Sequence, residues 1–141
     1  MSKLLAARIL FTKHLARLLL YATDLLGFAV IIDEVKRSKE AAKWNATHCK
    51  VRTARGRCEQ TPSAHRENRL GHTFRKIGIA TSLHINALAV DLLIIVDGKI
   101  SNDPELYRIL GEWWEKQFPA AAWGGRFNDM GHFSHGFNGR K

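Results

Sequence analysis

Two short clusters hold most of the residue types that could do chemistry together. They are Ser82-Leu-His84 with Ala89-Val-Asp91, and Trp123-Gly-Gly with Asp129-Met-Gly-His132-Phe133. Catalytic zinc sites usually take three protein ligands from His, Asp, Glu or Cys and leave one coordination position open for water. His84, Asp91 and His132 offer such a set, so the residue types and their spacing suggest a metal site.

The spacing within the first cluster places a condition on that site. His84 and Asp91 are seven residues apart, which puts them on opposite faces of one regular strand. They can converge only if the chain bends between them, near Asn86-Ala87. Asp91 lies in an aliphatic run, where a carboxylate needs a partner. Taken singly, a His or Asp at a strand end is more often a hydrogen-bonded structural residue than a metal ligand.

Composition predicts one compact domain with an anionic partner. The 141 residues suit a single domain, residues 1–141, with no separate binding domain expected. Lys and Arg number 22 against 13 Asp and Glu, a net charge of +9. That charge favours polyanions such as nucleic acid, lipopolysaccharide or cell-wall polymers without choosing among them. Charged residues interrupt the apolar N-terminal segment, so neither a membrane span nor a cleavable signal peptide is expected.

In the first half of the chain, periodicity predicts a helix, a strand and a second helix. The first helix spans Leu4 to Leu26, with Gly27 as its C-cap; it packs on the core or, alternatively, acts on membranes. Phe28–Ile32 is predicted to be a buried strand, and Ser38–Thr47 a short helix. A basic, polar excursion over about 45–76 is predicted to be a surface insertion.

The second half predicts strands, a hairpin and a helix. Strands are expected at Ile77–Ile79 and Leu88–Val96, with a hairpin at Asp97-Gly98. Asn102-Asp103-Pro104 is typical of a helix start. Trp123–Lys141 is predicted to be loop plus one short strand. This order indicates an α+β domain with a small antiparallel sheet and flanking helices.

Cys49 and Cys58 leave four interpretations open. They are too few for a disulfide scaffold. The pair could be two ordinary thiols, a disulfide, part of a substrate cleft, or half of a structural zinc site with the nearby His48, His65 and His72. Their separation of nine residues lacks the Cys-x-x-Cys spacing of structural zinc sites.

The two clusters together resemble a known family. Ser82-x-His84, Ala89-x-Asp91-Leu, Trp123-Gly-Gly and Asp129-x-x-His132-Phe133 are similar to the motifs of zinc peptidases that include D-alanyl-D-alanine carboxypeptidases and dipeptidases. The resemblance is closest to L-alanyl-D-glutamate endopeptidases among single-domain phage endolysins. It implies a fold of the hedgehog/D-Ala-D-Ala peptidase type with zinc at the sheet. Asn86-Ala87-Leu88 departs from the glycine often found there in the family, and the 45–76 excursion departs from its shortest members.

The resemblance also implies a role for each residue. The three zinc ligands would be His84, Asp91 and His132. Asp129 would be the general base, and Arg37 would stabilise the oxyanion, although Lys36, Arg52 and Arg75 are rival candidates for that role. Ser82 and Trp123 would bind substrate, with Trp123 equally suited to the core.

The implied function is hydrolysis of an amide bond in peptidoglycan stem peptides, between L-alanine and D-glutamate, leading to host cell lysis. Expected partners are peptidoglycan and an anionic envelope surface such as lipopolysaccharide, with no nucleic acid, and the protein is expected to be a monomer. It would stay in the host cytoplasm until a holin-type route released it to the periplasm. The alternatives are a D-alanyl-D-alanine carboxypeptidase or dipeptidase, a basic zinc-containing nucleic-acid-binding protein, and a protein that disrupts membranes through its first helix.

Overall fold

The protein is an antiparallel sheet packed against helices, seen in a computed structural model that describes residues 1–49, 51–53, 56–58, 60–61 and 82–140. The helices are α1 (Lys3–Leu20), continued by a π-helical turn (Tyr21–Leu25), α2 (Lys39–Thr47) and α3 (Pro104–Glu115), with 3₁₀ turns at Leu83–Asn86 and Gly124–Phe127. The strands are β1 (Ala29–Glu34), β2 (Arg52–Thr53), β3 (Gly56–Arg57), β4 (Ala89–Val96), β5 (Lys99–Ile100), β6 (Ala121–Trp123) and β7 (His132–His135). The α+β class and the small antiparallel sheet are confirmed. The strand predicted at 77–79 and most of the 45–76 excursion lie outside the described residues.

The main sheet has the order β1-β4-β7-β6, and β5 pairs with β4 beyond the end of β7. All these pairings are antiparallel. β2 and β3 form a separate small hairpin. β6 was not predicted, since Ala121–Trp123 is too short to show a strand period in the sequence.

The two faces of the central strand β4 differ. Val90, Leu92 and Ile94 are at most 1% exposed and belong to the hydrophobic core, where they meet Phe11 of α1 and Trp114 of α3. Because side chains alternate along a strand, Asp91 projects from the opposite face. Helices α1 and α3 therefore cover one face of the sheet, and the acidic residue lies on the other.

The predicted helix starts and the predicted hairpin are confirmed. Ser38 and Asp103 are N-caps whose side chains accept backbone N–H groups of α2 and α3. Gly27 follows the first helical segment with φ +69°, the left-handed conformation that glycine adopts without a steric penalty. Asp97 and Gly98 both have positive φ, 50° and 72°, as a type I′ hairpin turn requires.

The prediction that the first strand is buried is wrong. In β1, Ile31 and Ile32 are 50% and 46% exposed. The strand pairs with β4 at one end of the sheet order. A β-branched apolar run predicts a strand, but its position in the sheet decides how much of it is buried.

Tyr107 closes a gap between β7 and β5 along the edge of β4. Its buried hydroxyl accepts the Ile94 N–H at 3.0 Å and donates to Ser101 O at 3.1 Å. Tyr107→Phe should therefore lower the free energy of unfolding by about 1–3 kcal/mol, because the Ile94 N–H stays buried without a partner. Urea titration measures this, with Tyr21→Phe as the half-buried control. Equal stability of the two variants would contradict the prediction.

Candidate metal centre

Three acidic or imidazole side chains lie side by side across the face of the sheet opposite α1 and α3. The strand register pairs Glu34 of β1 with Asp91 of β4, and Asp91 with His132 of β7. Directly opposed residues of antiparallel strands project from the same face. Antiparallel pairing therefore brings His132 to Asp91 although 41 residues separate them.

His84 reaches this row from the 3₁₀ turn before β4. The bend predicted near Asn86-Ala87 is confirmed, because Ala87 adopts the left-handed conformation with φ 52° and ψ 47°. The Ala87 N–H donates to His84 O, and the Leu88 N–H donates to Leu83 O, both at 3.1 Å. A left-handed alanine costs roughly 1–2 kcal/mol, so the surrounding structure must hold this turn in place.

The donor atoms of the three predicted ligands form a tight triangle. His84 Nε2 lies 3.2 Å from Asp91 Oδ1 and 3.1 Å from His132 Nδ1, and His132 Nδ1 lies 3.0 Å from Asp91 Oδ1. In a tetrahedral zinc site with bonds of about 2.0–2.1 Å, donor atoms are about 3.3 Å apart. In the described part of the chain, this is the one group of three side chains that could hold a metal ion.

Hydrogen bonding at the back of the His84 ring sets its tautomer. His84 Nδ1 lies 3.3 Å from Val35 O, and a carbonyl oxygen only accepts, so Nδ1 carries the proton. The Nε2 lone pair is left facing Asp91 and His132. Lone pairs at this separation repel one another unless a proton or a cation lies between them. The chemistry of the donor set therefore fits a bound cation.

Asp91 supplies the negative charge of the group. Burial by itself raises the pKa of the Asp91 carboxyl, but hydrogen bonds from His132 and His84 in their protonated forms, and attraction to those rings, outweigh it and hold that pKa well below its usual range in the metal-free protein. The carboxylate is therefore ionised at neutral pH. The side chains of Asp91 and His132 are 25% and 12% exposed, so the triangle is open to solvent on one side while His84 is 2% exposed.

The segment after β1 clamps His84, and it contains Glu34, which the sequence analysis missed. The Arg37 N–H donates to His84 O at 3.1 Å, Val35 O accepts from the ring, and Glu34 Oε2 lies 3.9 Å from His84 Nδ1. The feature of the sequence that could have indicated Glu34 is its spacing from Arg37, which follows it by three residues at the end of an apolar run.

Arg37 forms an ion pair with Glu34. Its Nε donates to Glu34 Oε1 at 3.0 Å, and its Nη2 donates to Glu34 Oε2. The pair therefore lies on the Nδ1 side of the His84 ring, while the metal-facing atom is Nε2. Arg37 is beside the site, and its role in stabilising an oxyanion stays a prediction. Of the rival candidates, Arg75 lies outside the described residues, and the structure does not describe the side chain of Arg52.

Asp129 lies in the loop that leads to His132. Asp129 is exposed and lines the same surface depression of about 330 Å³ as Asp91. Its backbone is fixed at both ends, because the Asp129 N–H donates to Gly124 O at 2.9 Å and the His132 N–H donates to Asp129 O at 3.1 Å. A Cβ at Gly124 would come within 2.2 Å of Asp129 O, so this close approach requires glycine. The role of Asp129 as general base stays a prediction.

The two residues predicted to bind substrate are both 7% exposed. Ser82 Oγ accepts the His84 N–H at 3.3 Å, so this hydroxyl caps the turn that presents a ligand. Trp123 Nε1 donates to Met130 O at 2.8 Å, which ties the ring to the loop before His132. Both residues support the metal ligands, and their contact with substrate stays a prediction.

Glu34→Gln should weaken metal binding by roughly tenfold, because the negative charge of Glu34 lies 3.9 Å from His84 Nδ1 and strengthens that ring as a donor to a cation. Titration with zinc against a chelating indicator measures the affinity. Glu105→Gln is the matched control, since Glu105 pairs with Arg108 at the same three-residue spacing on exposed α3. An unchanged affinity in Glu34→Gln, or an equal loss in both variants, would contradict the prediction.

No known family model matches this chain, and no curated protein matches its sequence at a significant level. The fold and the site together define an α+β domain with a His-Asp-His group on the open face of an antiparallel sheet. A second zinc site at Cys49 and Cys58 stays an open interpretation. Cys49 is buried and Cys58 half-buried, but His65 and His72 lie outside the described residues.

Proposed function

We propose that this protein is a zinc-dependent peptidase that hydrolyses an amide bond in peptidoglycan stem peptides, between L-alanine and D-glutamate, and so lyses bacterial cells. The observation that carries the proposal is the donor triangle of His84 Nε2, Asp91 Oδ1 and His132 Nδ1, with all three separations between 3.0 and 3.2 Å. Two neutral imidazoles and one carboxylate, open on one side, make the donor set of catalytic zinc sites that keep a position for water.

The chain's own residues take distinct parts in this proposal. His84, Asp91 and His132 would hold the ion, which when bound lowers the pKa of a coordinated water towards 7. Asp129 shares the depression with Asp91, where its carboxylate can accept a proton and pass it to the leaving amine. To stabilise the developing oxyanion, Arg37 would have to release its ion pair with Glu34 and bind the oxyanion instead.

The choice of peptidoglycan rests on two features outside the donor triangle. The paired motifs around His84 and His132 resemble those of cell-wall peptidases. The net charge of +9 favours encounter with an anionic envelope. A protein that lyses cells in this way would be a phage endolysin, which resides in the host cytoplasm before its release to the cell wall.

Mass spectrometry of products from purified peptidoglycan tests the function. The zinc-loaded protein should release stem peptides with a new D-glutamyl amino terminus, and protein stripped with a chelator should release none until zinc is restored. Release of free D-alanine would identify a carboxypeptidase instead. Intact peptidoglycan with fully loaded protein would overturn the proposal, and nucleic-acid binding would then be the next explanation of the charge.

Salt should affect lysis of cells more than cleavage of a small substrate. Charge steering is screened over a Debye length of about 8 Å at physiological ionic strength. Lysis of permeabilised cells should therefore fall as salt rises, while cleavage of a short soluble stem peptide falls much less. Rates measured across a salt series compare the two, and equal salt dependence would show that the charge has no role in reaching the envelope.

A further inference from the structure

The outward face of α1 carries a stripe of apolar side chains. Leu5, Ile9 and Leu20 are 48%, 53% and 57% exposed. Their spacings of four and eleven residues place them on one line, because eleven residues make about three helical turns. The opposite side of α1 packs in the core through Phe11 and Leu18, which are 2% and 0% exposed. A helix that only packs on a core needs one apolar face, and α1 has two.

Cations accompany this stripe. Exposed Lys13 follows Ile9 by four residues, and exposed Arg17 precedes Leu20 by three, so each is a neighbour of an apolar residue of the line on the helix surface. No acidic residue occurs before Asp24. The outward face of α1 therefore combines apolar and positive groups, the composition of helices that lie in the interface of an anionic bilayer.

The stripe leads into an apolar groove at the end of the helix. The groove has a volume of about 480 Å³ and is lined by Arg17, Leu20, Tyr21, Asp24, Leu25, Trp113 and Gln117. The Tyr21 and Trp113 rings stack with centroids 4.5 Å apart, and Leu25 is 77% exposed. Tyrosine and tryptophan are the side chains enriched at the level of lipid headgroups.

We infer that this lipid-facing surface, formed by the outward side of α1 and the adjoining groove, binds the surface of bilayers that contain anionic lipid. The helix lies in the plane of the interface, with Leu5, Ile9 and Leu20 among the acyl chains and Lys13 and Arg17 extending to the headgroups. It does not span the bilayer, since no described helix is long and apolar enough to do so.

Charge complementarity selects lipid over other occupants. A second copy docked through α1 would bring two positive faces together, which is unfavourable. Nucleic acid would match the charge but would leave the exposed leucine and isoleucine side chains in water. An anionic bilayer satisfies the apolar and the positive groups at once, and Asp24 is the single acidic side chain in the lining of the groove. The inference does not depend on the peptidase proposal, because it uses no residue of the metal centre.

Co-sedimentation of the full chain with vesicles tests the inference. The protein should bind vesicles of phosphatidylcholine mixed with phosphatidylglycerol and bind pure phosphatidylcholine far less. Ile9→Ser with Leu20→Ser should weaken binding roughly tenfold. A variant that replaces three exposed cations of α1 by glutamine, at Lys3, Lys13 and Arg17, should weaken binding on the order of 100-fold. Chelator-treated protein should bind as well as zinc-loaded protein.

Two matched controls separate the surface from general properties of the chain. Lys36→Gln with Lys39→Gln and Lys43→Gln removes the same charge in and beside α2, and Ile31→Ser removes a half-exposed isoleucine from β1. Circular dichroism verifies the fold of each variant. Equal losses in the controls, or no loss in the α1 variants, would overturn the inference. So would sedimentation equilibrium showing a dimer that Ile9→Ser dissociates, since α1 would then be covered by a second copy.

Discussion

Replacing His84 by alanine is expected to abolish both metal binding and lysis. His84 Nε2 is one corner of the donor triangle, and the two remaining donors, Asp91 and His132, are too few for a stable catalytic zinc site. Elemental analysis should find well under one zinc per chain, and lysis of permeabilised cells should fall by at least about 10³-fold, because the activated water is lost with the ion.

Two further variants make this result interpretable. His84 is buried, so Asp91→Asn serves as a second ligand variant that keeps side-chain size and should also lose the metal. His48→Gln removes an imidazole from the end of α2 and should retain both zinc and lysis. Full zinc occupancy in His84→Ala, or undiminished lysis without zinc, would disprove the assignment of the site.

Asp129→Asn is expected to keep the metal and lose most of the turnover. The substitution preserves the size of the side chain and leaves the backbone bonds to Gly124 and His132 in place. It removes the carboxylate that accepts a proton, so kcat should fall by roughly 10²–10⁴-fold. Zinc content and single-turnover cleavage of a stem peptide, measured on the same preparation, separate the two effects.

Asp97→Asn is the control for that experiment. Asp97 occupies a hairpin position with positive φ, where asparagine is equally well accommodated, and it is not among the residues that line the depression with Asp91. Its variant should show full activity. If Asp129→Asn instead loses its zinc, Asp129 is a ligand and the assignment of the general base is wrong.

The grouping of His84, Asp91 and His132 as a candidate metal site was predictable because residue type limits metal binding so strongly. A carboxylate inside the aliphatic run of β4 needs a partner, and His84 and His132 are the ligand types that zinc prefers. The need for a bend near Asn86-Ala87 also followed from the period of a strand. The sequence did not indicate Glu34, because a short-range Glu–Arg spacing is common on protein surfaces and acquires meaning only beside His84.

Local signals in the sequence determined the class of the elements, four of the helix and hairpin boundaries, and the candidate ligands. Caps, turn residues and apolar periods act over a few residues, so they can be read without a fold. Tertiary structure alone decided that β1 is half-exposed, that Arg37 pairs with Glu34, and that His132 lies 3.0 Å from Asp91. Each of these depends on strand order and register, which bring together residues far apart in the chain, and no local pattern records which strand will become the neighbour of another.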